Sequence, residues 1–124
     1  MPGRATNIRV AEADVSKPPI DLAVLERATL GDAALAREVL SLFSGHAEKL
    51  LAEIAGAADA RTRREAAHGL KGAALGIGAA AVAEAAAQLE AVAGDPDEFP
   101  GALAHLSTLV SVVRLAIAGL LLRD

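Results

Sequence analysis

The chain has 124 residues, a net charge of −4 and no cysteine. The length fits one domain of ordinary size, and the lack of cysteine excludes disulfides and cysteine-ligated metals. The acidic balance argues against a nucleic-acid partner. Hydrophobic residues make up 53% of the chain, yet only Phe43 and Phe99 are aromatic and alanine is abundant. Because alanine is the best helix former, this composition predicts an all-α protein.

The first 19 residues are polar and mixed and show no helical or strand period. They end in Lys17, Pro18 and Pro19, and we expect them to form a flexible lead-in to a domain over residues 20–124. Residues 1–10 lack the apolar stretch of an export signal, so the expected location is cytoplasmic.

Two helices are predicted before residue 57. Asp21 caps a short helix over residues 22–29 that Gly31 ends, and Asp32 caps a long helix that Gly56 ends. Apolar residues of the long helix recur at steps of three and four, which predicts one buried face that includes a partly buried histidine. The residues of this predicted face are Leu35, Val39, Leu42, Phe43, His46, Leu50 and Ile54.

Three further helices are predicted in the second half of the chain. Asp59 caps one over residues 60–75 that Gly76 and Gly78 end, the next spans residues 79–93, and the last runs from 99 or 102 to 122. Together the elements predict an antiparallel up-down four-helix bundle with a short extra N-terminal helix. The residues expected to be buried in these three helices are Ala67, Leu70, Ala74, Ile77, Val82, Ala86, Leu89, Ala93, Leu106, Val110, Val113, Ile117 and Leu120 or Leu121.

The last predicted helix is strongly apolar, but its uninterrupted apolar run covers only residues 115–122. That run is too short to span a bilayer, so we expect a core helix and no membrane association. His105 is expected to be exposed. Leucines on several sides of this helix permit either a monomer or a weak dimer.

One stripe of the third predicted helix combines chemically useful residues. Residues at i, i+3, i+4 and i+7 share a helix face, which places His68, Lys71, Gly72 and Leu75 side by side. An imidazole is partly neutral near pH 7 and can act as a nucleophile, and a lysine ammonium suits phosphate oxygens. The glycine leaves the surface open to a partner.

The segment around this stripe resembles the signature of histidine-containing phosphotransfer (HPt) domains, H-x-L-K-G-x-A with a glycine ten residues after the histidine. The resemblance extends over roughly residues 20–120. Gly69 departs from it, because the family often has a small polar or other side chain there. Six positions match the signature: His68, Leu70, Lys71, Gly72, Ala74 and Gly78.

The resemblance implies a stand-alone phosphorelay protein that passes a phosphoryl group between His68 and the aspartate of a receiver domain. Lys71 would support the phosphoryl oxygens, while Gly72 and Gly78 would keep the neighbourhood open. The implied partners are response-regulator receiver domains or a hybrid sensor kinase. The receiver would bring Mg²⁺, so no cofactor or metal is expected on this chain. The sequence has no Gly-rich phosphate loop, so no kinase activity is expected.

Several alternatives stay open at this point. Arg64, in a basic cluster with Arg61 and Arg63, is either a partner-binding residue that steers a receiver or a solvated charge. Leu75 is either a docking contact or the edge of the core, and Gly78 is either a helix terminator or a clearance residue. A module that docks receivers without carrying phosphate is the alternative function.

A metal-binding bundle is a further alternative. Glu65 and His68 have the Glu-x-x-His spacing of di-iron bundles, but neither His46 nor His105 follows a glutamate at that spacing. The second motif that such a centre requires is therefore missing from the sequence.

Overall fold

The computed structural model describes residues 18–123, and these residues form helices and no strand. The predicted all-α fold is confirmed as a four-helix bundle with a short N-terminal helix, and each helix boundary lies within two residues of its prediction. The expected lead-in at residues 1–19 lies almost wholly outside the described residues. The helices are α1 (Leu22–Thr29), α2 (Ala33–Gly56), α3 (Ala60–Gly76), α4 (Ala80–Val92) and α5 (Phe99–Leu121).

Three aspartates begin the first three helices, as predicted. The Oδ1 atoms of Asp21, Asp32 and Asp59 each accept a hydrogen bond from a backbone N–H two or three residues on, at 3.0, 3.0 and 2.7 Å. The short helix α1 ends at Thr29, as predicted, and two residues with positive φ follow it. Leu30 itself adopts the left-handed conformation with φ of 54°, and Gly31 follows with φ of 75°.

The four long helices form a ring in which each contacts the next one along the chain, and α5 closes the ring against α2. Among the described residues the backbones of α3 and α5 do not approach each other, so these helices occupy diagonal corners of the bundle. Their side chains meet at one end, where Arg63 packs on Phe99. The short α1 packs across one end, against α2 and α3. This arrangement leaves one face of α3 open to solvent along its whole length.

The buried face of α2 differs from the prediction. Leu35, Leu42 and His46, all expected on that face, are exposed, and Val39 is only half-buried. On α2, apolar residues at steps of three and four occur on two neighbouring stripes. The predicted face included residues of the outer stripe, which faces solvent. Phe43, Leu50 and Ile54 are buried in the core as predicted, and they are joined there by Leu40 and Ala47, which the prediction did not include.

The other predicted core residues are buried, except that Leu120 and Leu121 are half-buried. His105 is exposed, as predicted. By length and composition α5 could cross a membrane, with a mean hydropathy of 1.7 in its most apolar window. Its inner residues Leu106, Val110, Val113 and Ile117 nevertheless pack into the bundle core, as expected for a core helix.

Candidate functional site

The structure places His68 in the middle of α3 on the outer face of the bundle. Its side chain is 71% exposed. Lys71 is half-buried one turn further on, while Gly72 and Leu75 are exposed. The exposure of Leu75 excludes a place at the edge of the core, where it would be covered, and a docking contact stays a prediction.

A carboxylate from the neighbouring helix lies beside the imidazole. Oε2 of Glu90, on α4, is 3.3 Å from Nδ1 of His68, and the glutamate side chain is only 30% exposed. The contact engages Nδ1 and leaves Nε2 as the ring nitrogen with which this exposed side chain can react. Sequence reasoning missed Glu90, because it lies 22 residues from the histidine and no spacing rule connects the two.

The charges around His68 are mixed. Arg61 and Glu65 neutralise each other through a 3.1 Å contact between Nε and Oε2. Arg64 is exposed one turn before the histidine. Within residues 18–123 neither Arg64 nor Lys71 has an ion-pair partner. Their two positive charges therefore flank the imidazole and are available to an anionic group.

Arg63 does not belong to this charged surface. Its guanidinium carbon lies 3.9 Å from the centroid of the Phe99 ring, and Nη1 donates a hydrogen bond to the carbonyl oxygen of Ala93 at 3.0 Å. The side chain thus holds α3 against the turn between α4 and α5. Of the three arginines in the basic cluster, Arg63 therefore has a structural role, while Arg61 and Arg64 lie on the surface.

An apolar groove runs between α2 and α3 and begins beside Gly72, one turn from His68. Leu42 is 66% exposed at this groove, and the exposed ring of His46 is also part of its lining. An exposed leucine beside a missing side chain is the kind of surface that a protein partner covers. The groove is lined by Val39, Leu42, Phe43, His46, Gly72, Ala73, Gly76 and Ile77.

Internal packing does not require a glycine at position 72. A Cβ atom added there would meet no other atom within 4 Å, and one added at Gly69 would meet only Cδ1 of Leu50 at 3.9 Å. Glycine in a helix interior costs about 1 kcal/mol relative to alanine. The glycine that leaves space beside His68 therefore lowers helix stability, and no packing contact inside the bundle requires it.

Gly78 has a different role from the one expected of a partner-binding residue. It is buried, its φ is 77°, and its carbonyl oxygen accepts a hydrogen bond from the Asp21 backbone N–H at 2.9 Å. An added Cβ would lie 2.6 Å from the Asp21 carbonyl oxygen. Gly78 therefore terminates α3 and lets the beginning of α1 approach, and direct contact with a partner does not fit this buried position.

The Glu-x-x-His spacing does not form part of a metal cluster in the folded chain. Glu65 is engaged by Arg61. In the part of the chain that the structure describes, no group of three or more His, Asp or Glu side chains is placed to hold a metal ion.

A comparison with protein-family models finds one match, to the Hpt domain, over residues 38–119. The match covers about two thirds of the chain and includes the whole of α3 and α4. Searches of curated proteins and of solved structures found no significant match.

Proposed function

The chain belongs to the Hpt domain family, and we propose that His68 carries a phosphoryl group to and from receiver-domain aspartates in a two-component phosphorelay. The family is one of phosphocarrier modules in two-component signalling, which supports the general role. The observation that carries the assignment to His68 is its position on the open face of α3, 3.3 Å from a carboxylate that can orient its ring. The cytoplasmic location expected from the sequence belongs to the same proposal.

The proposed reaction uses Nε2 of His68 as the nucleophile. Its lone pair attacks the phosphorus of an aspartyl phosphate, the bond between phosphorus and the aspartyl oxygen breaks, and the aspartate leaves as a carboxylate. The proton on Nδ1 stays in place. The positive charge that develops on the ring is then stabilised by the Glu90 carboxylate, so no proton has to leave the site.

Positive charge near the phosphoryl group supports the transfer. Phosphoryl transfer depends mainly on positioning and on stabilising charge on the phosphoryl oxygens. Lys71 lies one turn after His68 with no ion-pair partner within residues 18–123, and we assign it this stabilising role. Arg64 is assigned to attracting the acidic active-site surface of a receiver. In this proposal Mg²⁺ comes with the receiver.

The groove between α2 and α3 is the proposed docking surface for the receiver. Gly72 leaves space for a partner next to the imidazole, and the exposed Leu42 and Leu75 offer apolar contacts on either side of it. Apolar contacts of this kind supply affinity, while the surrounding charges supply orientation.

The testing experiment is phosphotransfer from receiver domains that have been loaded with phosphate by a small acyl phosphate. Wild type should acquire acid-labile phosphate, and His68→Gln should acquire none while retaining its helical spectrum. Receivers that bind wild type without transferring any phosphate would instead establish a docking module. Incorporation of label into His68→Gln would show that another residue is the phosphorylated one.

Lys71→Ala tests whether the charge of Lys71 stabilises the phosphoryl oxygens during transfer. The variant should transfer phosphate about tenfold more slowly, the equivalent of about 1.4 kcal/mol of charge stabilisation. Arg27→Ala removes one exposed positive charge from α1 and is the matched control, with an expected rate close to wild type. Equal rates for all three proteins would make Lys71 a solvated bystander.

A further inference from the structure

The outer face of α5 carries a continuous stripe without any charged residue. Leu115 is 74% exposed and Leu122 is 86% exposed, and the smaller residues between and before them are exposed as well. Successive members of the stripe are three or four residues apart, which is the spacing of a seam between two packed helices. The seam consists of Ala104, Thr108, Ser111, Leu115, Ala118 and Leu122.

This face differs from the outer faces of the other long helices. Within the described residues, α2, α3 and α4 carry exposed acidic side chains, among them Glu38, Glu65 and Glu84. The one charged residue inside α5 is Arg114, and its Nε donates a hydrogen bond to Oγ of Ser44 on α2 at 3.0 Å. Only 22% of the most apolar window of α5 is buried in the bundle. The helix thus has an uncharged outer face with exposed leucines that the monomer does not cover.

We propose that this seam is the interface of a homodimer in which α5 of one copy packs antiparallel against α5 of a second copy. A two-fold axis at the level of Val113 places Leu115 opposite Ser111 of the other copy. The same register places Leu122 opposite Ala104 and Thr108 opposite Ala118. Each exposed leucine then meets a small residue, which is the size complementarity that closely packed helices need.

The charges at the two ends of α5 favour the antiparallel arrangement. Asp95, Asp97 and Glu98 are exposed just before the helix begins, whereas Arg123 is exposed just after it ends. Arg37 adds a second positive charge at the end of α5, where its guanidinium donates hydrogen bonds to the carbonyl oxygens of the last turn. Antiparallel packing brings the acidic end of each copy to the basic end of the other, while parallel packing would juxtapose like charges.

The dimer would leave both candidate sites accessible. Because α3 is diagonal to α5 in the bundle, the two His68 side chains would point away from the interface. One dimer could therefore engage two partners at once. The proposal rests on α5 alone and does not depend on phosphotransfer by His68.

Sedimentation equilibrium of the full chain tests the interface. Wild type should approach twice the chain mass of 12.5 kDa with a dissociation constant in the micromolar range, as for other small interfaces. Leu115→Lys should raise that constant at least about tenfold, because it places two charges in the centre of the seam. Leu35→Lys makes the same change at an exposed leucine of α2 and should leave the constant unchanged.

Cysteine cross-linking tests the orientation, since the chain contains no cysteine of its own. In the antiparallel register Thr108→Cys faces Ala118→Cys of the other copy, so a disulfide should form in a mixture of the two variants. Neither variant should cross-link to itself.

Self-cross-linking without mixed cross-linking would overturn the antiparallel arrangement. A wild-type chain that stays monomeric at about 500 μM, far above a micromolar dissociation constant, would overturn the dimer. Sedimentation of the monomer with phospholipid vesicles would overturn it as well, since a lipid surface would then be the partner of α5.

Discussion

Nδ1 of His68 and Oε2 of Glu90 lie 3.3 Å apart and connect the centre of α3 to α4. The imidazole is largely exposed while the glutamate is largely covered, so the carboxylate is held by the bundle and the ring is presented to solvent. A partly buried carboxylate on one ring nitrogen fixes which nitrogen faces outward and favours the positively charged ring that phosphorylation produces. This relationship leads to the first prediction.

Glu90→Ala should slow phosphotransfer to His68 by roughly tenfold, because it removes an interaction with a charged group of about 1.4 kcal/mol. Glu90→Gln should retain part of the rate, because an amide oxygen can still accept from Nδ1. Nitrogen NMR of the imidazole should show less of the tautomer protonated at Nδ1 in Glu90→Ala. Glu84→Ala, at an exposed glutamate of the same helix, is the control. A rate in Glu90→Ala equal to that of this control would exclude an orienting role.

Gly72→Leu should fold and yet fail to receive phosphate efficiently. An added side chain meets no atom of the bundle, so Gly72→Ala should raise the free energy of unfolding by about 1 kcal/mol. The larger leucine would project into the space that a partner needs beside His68. Urea denaturation and the transfer assay give the two readouts. Gly45→Leu, at an exposed glycine of α2 with equal space, should transfer normally, and a defect of the same size there would contradict the clearance role.

Gly78→Ala should destabilise the fold by about 2 kcal/mol, because a side chain at positive φ is strained and the added Cβ would crowd the Asp21 backbone. Gly69→Ala is the matched change within α3. Its Cβ would make only an ordinary contact with Leu50, so it should stabilise the helix by up to about 1 kcal/mol. Thermal unfolding of both variants checks this, and a neutral Gly78→Ala would contradict the close approach of α1.

Substitutions of Arg63 and Arg64 should have different effects, although the two residues are adjacent in sequence. Arg63→Ala should lower stability, whereas Arg64→Ala should slow association with a receiver. Arg63→Ala loses its contact with Phe99 and its hydrogen bond to Ala93, and it should cost about 1–3 kcal/mol of unfolding free energy. Arg64→Ala should change stability by less than about 0.5 kcal/mol. It should slow association with a receiver at low salt, with the difference from wild type fading as salt is added. If the association rates of wild type and of Arg64→Ala did not depend on salt, Arg64 would have no steering role.

The cap of α3 should contribute a pH-dependent stability. The hydrogen bonds from Thr62 lower the pKa of Asp59 from its usual 3.8. A carboxylate with a lowered pKa stabilises the fold above its unfolded pKa, and the contribution is lost as the pH falls through the lower folded value. The melting temperature of Asp59→Ala should therefore lie below that of wild type at neutral pH, and the gap should narrow below pH 3.8. Asp59→Ser retains an oxygen acceptor without a titrating group, so its melting temperature should not show this pH-dependent loss.

Local signals in the sequence were sufficient to predict which segments of the chain form helices. The aspartate caps and the turn glycines act through hydrogen bonds within a few residues, so the beginnings and ends of α1, α2 and α3 could be predicted from the chain itself. The helices α4 and α5 begin without a side-chain cap. The stripe of His68, Lys71, Gly72 and Leu75 also follows from helical spacing alone. The family resemblance rests on that same short segment, which is why the family match to residues 38–119 confirmed it.

Relations between helices could not be predicted in this way, because they depend on how the helices rotate against one another. Packing decided that Leu40 and Ala47 enter the core while Leu42 and His46 line the groove beside Gly72. It also placed Glu90 beside His68. By itself the sequence determined the helices and the place of His68 on α3, through contacts within one or two helical turns. Only the tertiary structure decided what surrounds His68, because its neighbours on α2 and α4 are distant in sequence.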